Sequence, residues 1–212
     1  MIKAFIFDLD GTLLDSMYAW KNVGSRYLAH KGVQAVPPDL EERLKTMSLL
    51  GAAKYFISEF SFPQTPEEIV AEFNELAAEQ YRNVFQPKPG VVEFLAKHAH
   101  MKMCVATATE RPLAEMALKR LDWMKYFEFI ITSGEAGSSK RSPDIFLQAA
   151  QKLGAGVAEA IVFEDSPHAV KSAKAAGFYT VGVQDDFYEA EATQILDMAD
   201  AYVESLLDFT MP

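Results

Sequence analysis

Apolar positions along this chain follow two patterns. Short, near-continuous apolar runs occur at Ala4–Phe7, 102–106 and 160–163, each followed by polar or small residues and then a helical spacing, and two further runs stand at Phe129–Thr132 and Tyr179–Val183. A strand covered on both faces reads as a continuous apolar run rather than an alternating one, so these runs predict parallel strands. Residues 112–121 place Leu113, Met116, Ala117 and Leu121 on one helical face. Residues 143–153 open on Pro143, which suits a first helical turn, and stop before Gly154. Residues 166–176 run to Gly177, a residue able to take the left-handed conformation that closes a helix. Strands alternating with helices predict an α/β fold with a doubly wound, Rossmann-like parallel-sheet core.

The alternation breaks after the first strand. Residues 18–30, 38–45, 52–59 and 66–84 read as helices, with no convincing strand among them. Pro37-Pro38, Phe62-Pro63 and Pro87-Lys88-Pro89-Gly90 punctuate this region. The expected organisation is an α/β core of residues 1–15 and 87–212, interrupted by an inserted all-α helical domain over 16–86. A chain of 212 residues is long enough for both.

Composition narrows the partners. The net charge of −10 and pI near 4.9 argue against wrapping a nucleic-acid backbone, which calls for clustered Lys and Arg. No apolar stretch approaches membrane-spanning length, and Met1 to Phe7 is too soon interrupted by Asp8 to be a signal peptide, so the expected place is the cytoplasm. Cys104 is the single cysteine and sits in an apolar run, so neither a disulfide framework nor a thiolate metal cluster is expected. An acidic chain of this size is expected to be a monomer or a weak homodimer.

Chemistry enters at the strand ends. Functional groups of parallel α/β sheets gather at the carboxyl edge, and Asp8, Asp10, Thr107, Glu164 and Asp165 all lie at or just past a predicted strand. Carboxylates converging there repel one another unless a cation neutralises them. Mg²⁺ fits, being a hard ion that takes oxygen ligands. The plainer reading, that each acid caps a helix, suits Asp165 and Ser166 but not a strand end carrying two aspartates two residues apart.

The segment Phe7-Asp8-Leu9-Asp10-Gly11-Thr12-Leu13 resembles the first motif of the haloacid dehalogenase-like superfamily, whose phosphatase members carry D-x-D-G-T after the first strand. Thr107 matches the Ser/Thr ending the second core strand, Lys140 ahead of Ser142-Pro143-Asp144-Ile145-Phe146 the motif lysine, and Glu164-Asp165-Ser166 the acidic fourth motif. The resemblance spans essentially the whole chain, the insert included as the family's cap. Two departures stand out: Arg141 replaces the proline that usually follows the lysine, and Glu164-Asp165 replaces a Gly-Asp pair. The second is shared by the family's sugar-phosphate phosphatases and β-phosphoglucomutases.

The resemblance implies roles. Asp8 would be the nucleophile forming an aspartyl-phosphate, and Asp10 the acid and base for the leaving oxygen and for water. Thr107, the amide of Ala108 and Lys140 would hold phosphoryl oxygens, with Lys140 also offsetting charge on Asp8. Mg²⁺ would be held by Asp8, Asp165 and the backbone carbonyl of Asp10, with Glu164 as a direct or outer ligand. The substrate would be a small phosphorylated metabolite, hydrolysed. Dehalogenases and phosphonatases lack the second aspartate, which is present here as Asp10. A β-phosphoglucomutase-like mutase is the alternative, although Trp20 occupies the position of the histidine that mutases carry early in the cap. An inactive scaffold would have lost Asp8, Asp10 or Lys140. Arg43, Lys45, Lys54 and Trp20 are candidate specificity contacts, for each of which a solvated charge or a packed aromatic is the simpler expectation.

Overall fold

The computed structural model describes every residue except Thr46 and Ser48, and the side chain of Lys45 also lies outside the described residues. In chain order the main elements begin with β1 (Ala4–Phe7), β2 (Leu14–Asp15), α1 (Met17–Lys21), α2 (Val23–His30), α3 (Leu40–Lys45), α4 (Leu49–Phe60), α5 (Pro66–Glu79) and β3 (Gln86–Pro87). They continue with α6 (Val91–Lys97), β4 (Lys102–Thr107), α7 (Arg111–Arg120), β5 (Phe129–Thr132), α8 (Ser133–Ala136) and α9 (Asp144–Leu153). The chain closes with β6 (Ala160–Glu164), α10 (Pro167–Ala175), β7 (Tyr179–Val183), α11 (Ala192–Met198) and β8 (Ala201–Val203).

Among the described residues six strands form one parallel sheet in the order β5-β4-β1-β6-β7-β8. The α/β, doubly wound expectation holds. The first strand of the chain is central, with Phe7 opposite Val105 on one side and Phe163 on the other. Its residues explain that position. All of Ala4–Phe7 is buried, so both faces need cover. On one face Phe5 and Phe7 pack with Phe94, Phe163 and Phe209, the rings of Phe7 and Phe163 stacking 4.7 Å apart. On the other, Ala4 and Ile6 join Cys104, Val162, Ile145, Phe146 and Ala149 in the core beneath α9. Cys104 is buried, and burial pushes its thiol pKa upward, as an inert core thiol requires.

The chain divides into two compact units, Met1–Met17 with Phe85–Pro212, and Tyr18–Val84. The second unit is helical. Its core joins Tyr27, Leu28, Leu40, Ala53, Phe56, Ile69 and Phe73, with the rings of Tyr27 and Phe73 stacked at 4.3 Å. The Tyr27 hydroxyl donates to Glu72 Oε2 at 2.6 Å, and Lys31 Nζ donates to Oε1 of the same carboxylate at 2.8 Å. Thr65 and Glu68 form a reciprocal capping box at the start of α5. In the first unit β2 and β3 pair antiparallel, Leu14 opposite Pro87 and Asp15 opposite Gln86.

Several elements differ from the sequence pattern. The expected helix over 18–30 is broken at Asn22, where φ is −132°, a residue type whose side chain competes for backbone hydrogen bonds. The helix expected over 52–59 spans Leu49–Phe60, and that over 66–84 gives way at Gln80 to a π-helical turn through Val84. The short α6 and β8 are absent from the pattern analysis, although α6 buries Val91, Phe94 and Leu95 on one helical face; its stripe is little more than a turn long. His98, in a polar stretch of the sequence that reads as solvated, is buried, its ring 4.2 Å from that of Phe94 and its Nδ1 paired with the Phe94 carbonyl at 2.9 Å. Burial lowers its pKa. Among the described residues no helix is long and apolar enough to cross a membrane.

Candidate active site

The parallel sheet brings the strand ends together at one edge. Asp8 follows β1 and continues its pairing, its N–H donating to the Phe163 carbonyl at 3.0 Å. Glu164 is the last residue of β6 and Asp165 the next. Ligand atoms of Asp8, Glu164 and Asp165, all buried, lie within 4.8 Å of one another. This is the set that topology alone produces from carboxylates more than a hundred residues apart in sequence.

Lys140 reaches into the set from the segment ahead of α9. Its ammonium donates to Asp8 Oδ1, and to Glu164 Oε1 at 2.6 Å. Its own carbonyl accepts from the Ser172 hydroxyl at 2.6 Å, which fixes the backbone from which the side chain springs. Glu164 Oε2 accepts from the Ser166 N–H at 2.9 Å, so this carboxylate is held at both oxygens. Arg141, standing where relatives usually have proline, leaves this arrangement of Lys140 intact.

The electrostatics are those of a crowded, dry anionic site. Burial pushes Asp8 up to about 8, Lys140 opposing the rise and Glu164 and Asp10 adding to it. Burial first, then the charges of Glu164 and Asp8, raise Asp165 well above the usual carboxylate range. Burial lowers the pKa of Lys140, but Asp8 and Glu164 outweigh it and the net shift is upward. Asp165 Oδ2 is buried without a hydrogen-bond partner. An orphaned carboxylate oxygen beside two more carboxylates is a poor arrangement for a bare protein and a good one for a divalent cation that prefers oxygen ligands. The residues present therefore fit a metal ion.

Gly11 makes the cluster possible. Its φ is +84°, and a Cβ built there would lie 2.1 Å from Asp165 Oδ2, so only glycine lets the backbone turn this close to the carboxylate.

Asp10 stands apart from the metal-type trio, on its own pair of donors. The Ser16 hydroxyl donates to its Oδ1 at 2.6 Å and the Thr109 hydroxyl to its Oδ2 at 2.6 Å. Thr107, at the end of β4, is buried, and its hydroxyl accepts from the Thr109 N–H at 3.0 Å; Ala108 between them is exposed. Ser16 and Thr109 are additions to the residues named from sequence. The only signal for them was a hydroxyl shortly after each of two strands. The other candidates stay ordinary: Arg43 is ion-paired with Asp39 at 2.7 Å, Lys54 and Trp20 are exposed, and the Lys45 side chain lies outside the described residues. Asp185, just past β7, is half-buried and ion-paired with Lys88 at 2.9 Å.

A family model described as haloacid dehalogenase-like hydrolase matches residues 5–183, which include Asp8, Asp10, Thr107, Lys140, Glu164 and Asp165. The chain belongs to that family. Among curated relatives of this hydrolase are fructose-1-phosphate phosphatase YqaB of Escherichia coli, 28% identical over 184 residues that cover 84% of this chain and 95% of that one. Another is the validoxylamine A 7'-phosphate phosphatase of Streptomyces hygroscopicus subsp. limoneus, 29% identical over 216 residues, covering 100% of this chain and 98% of the relative. A crystal structure from Thermotoga maritima, provisionally described as a β-phosphoglucomutase, superposes with a TM-score of 0.80 at 26% identity, covering 95% of this chain and 94% of that one. Several curated relatives, these two among them, are phosphatases by name, and this chain is an enzyme of their family.

Proposed function

We propose that this hydrolase is a Mg²⁺-dependent phosphatase that cleaves small phosphate monoesters, sugar phosphates among them, through an aspartyl-phosphate on Asp8. One observation carries the reading: two aspartates two residues apart are held in opposite ways, Asp8 on an ammonium inside the carboxylate trio and Asp10 on two hydroxyls outside it.

That difference separates two chemical tasks. Asp8 must attack phosphorus as a carboxylate, and Lys140 is the cationic group of this chain that favours the ionised form. As the oxygen–phosphorus bond of the ester breaks, the departing alkoxide takes a proton from Asp10, and an acyl phosphate remains on Asp8. Water then attacks that phosphorus, Asp10 takes the water's proton, and inorganic phosphate leaves with Asp8 regenerated. Ser16 and Thr109 can serve Asp10 in both protonation states, because a hydroxyl donates to a carboxylate and accepts from a carboxylic acid. Thr107, the Ala108 amide and Lys140 bind the transferring phosphoryl oxygens. Asp8, Glu164 and Asp165, with the Asp10 carbonyl, are the groups to hold Mg²⁺, which when bound offsets the negative charge of nucleophile and phosphoryl group.

The helical segment 16–86, set between the first and second core strands, takes the part of a cap that excludes water and carries specificity contacts, with 1–15 and 87–212 as the catalytic core. Support for a phosphosugar-like substrate is the naming of relatives as fructose-1-phosphate, phosphorylated-carbohydrate and hexitol phosphatases. The likeness to a provisional β-phosphoglucomutase favours a second reading, a phosphosugar mutase, against which Trp20 stands as a residue unable to exchange protons as histidine does.

The deciding experiment is phosphate release from a panel of hexose phosphates, phosphoglycolate and nucleoside monophosphates, in Mg²⁺ and in EDTA, with β-glucose 1-phosphate also followed for conversion to glucose 6-phosphate. Release that EDTA abolishes is the expected result. Isomerisation without release would replace the phosphatase by the mutase, and metal-independent release would remove the cation from the mechanism.

A further inference from the structure

Lys88 lies just past β3, where the chain re-enters the α/β unit, and has no part in the chemistry above. Its backbone N–H donates to the Leu13 carbonyl at 3.0 Å. Its ammonium donates to the Gly11 carbonyl at 2.8 Å, to Asp185 Oδ2 at 2.9 Å and to the Gln184 carbonyl. An ammonium has three N–H donors, and acceptors on two separate segments take up all of them. One segment is the turn after Asp8, the other the end of β7. Asp185 is itself fixed, its Oδ1 accepting from the Phe187 N–H at 3.0 Å.

The side chains of Lys88 and Asp185 are only 11% and 8% exposed. An ion pair so largely removed from water is weak evidence for added stability, because desolvation offsets most of the attraction. Its position is more informative. The carbonyl it grips belongs to Gly11, the residue whose backbone lies against Asp165 closely enough to exclude any side chain. A shift of that turn therefore moves the floor on which Asp165 rests.

We propose that Lys88 is a positioning residue of the acidic centre: by tying the Gly11 carbonyl to the end of β7, it sets where Asp165 lies against Asp8 and Glu164 and so how well the trio holds a divalent cation. This rests on reading the trio as a cation site. The rival view, that Lys88 only neutralises Asp185, gives a different outcome when both charges are removed together.

The test uses the full chain as wild type, as Lys88→Met and as Lys88→Met/Asp185→Asn. The single variant leaves the half-buried Asp185 without its counter-charge, which threatens folding, whereas the double variant removes both charges and still releases Gly11. Binding of Mn²⁺ alone is followed by the loss of its free EPR signal. Hydrolysis of 4-nitrophenyl phosphate is then measured across Mg²⁺ concentrations. The folded variants should bind Mn²⁺ about 10–100-fold more weakly, the range for lost outer-shell partners of metal ligands. They should need correspondingly more Mg²⁺, while the ester KM at saturating Mg²⁺ stays within about threefold of wild type. A folded double variant with wild-type Mn²⁺ affinity overturns the proposal, as does a change in ester KM with metal affinity unchanged. Wild-type protein that neither binds Mn²⁺ nor releases phosphate brings down the cation-site reading itself; active wild type matched by its variants brings down Lys88 alone.

Discussion

At the scale of single residues, the separate environments of Asp8 and Asp10 give the sharpest contrast. Asp8→Asn should reduce turnover to background, since an amide is no substitute for a carboxylate nucleophile. Asp10→Asn should keep Mn²⁺ and phosphate binding, because its side chain lies outside the trio, yet lose turnover on the order of 10²–10⁴-fold. Steady-state kinetics beside an equilibrium Mn²⁺ titration separates the two, and a fully active Asp10→Asn would remove its acid–base role. Both aspartates, Lys140 and the Glu164-Asp165 pair were legible in the sequence because chemistry restricts residue type at a strand end and because they fall in motif order. The hydroxyls of Ser16 and Thr109 were not. A hydrogen bond to Asp10 spanning 99 positions, as that from Thr109 does, leaves no trace in any local pattern. Lys88 was hidden in the same way, looking like one more residue of a proline-rich linker.

The strands were the readable elements, since burial on both faces turns each into an unbroken apolar run. Helix limits in the inserted unit were less so: an amphipathic stripe shows which face is buried but fades where the turn at Asn22 or the π-helical turn after Glu79 intervenes. His98 shows a related failure. Its neighbours Lys97 and His100 suggested a solvated stretch, while the rings of Phe5 and Phe94 that cover it come from β1 and α6. Within the helical unit Phe56 is fully buried and packs with Tyr27 at 5.3 Å and Phe73 at 5.7 Å. Phe56→Ala should cost about 3–5 kcal/mol of stability, the range for emptying such a site. Urea unfolding followed by circular dichroism measures it; a loss below about 1 kcal/mol would mean that the surrounding rings collapse into the space.

For the molecule as a whole, the net charge of −10 and the carboxylate cluster make folding sensitive to cations. Mg²⁺ that binds the folded site and not the unfolded chain should stabilise the protein by about 2.7 kcal/mol at a hundredfold excess over its dissociation constant. Thermal unfolding in Mg²⁺ should thus have a higher Tm than in EDTA, with magnesium-free NaCl of equal ionic strength as the control; equal midpoints would show that the trio does not hold the ion. The order of the sheet has a consequence for how the chain is made. Strand β1 leaves the ribosome well before its pairing partners, which begin at Lys102 and Ala160 and are synthesised only after the whole helical unit. The centre of the sheet must wait for its most distant neighbours, the kind of long-range pairing that slows folding. Until β6 emerges, β1 lacks its partner on the Phe163 side, and a nascent chain stalled before that point exposes one apolar strand edge, the kind of unpaired edge that invites aggregation.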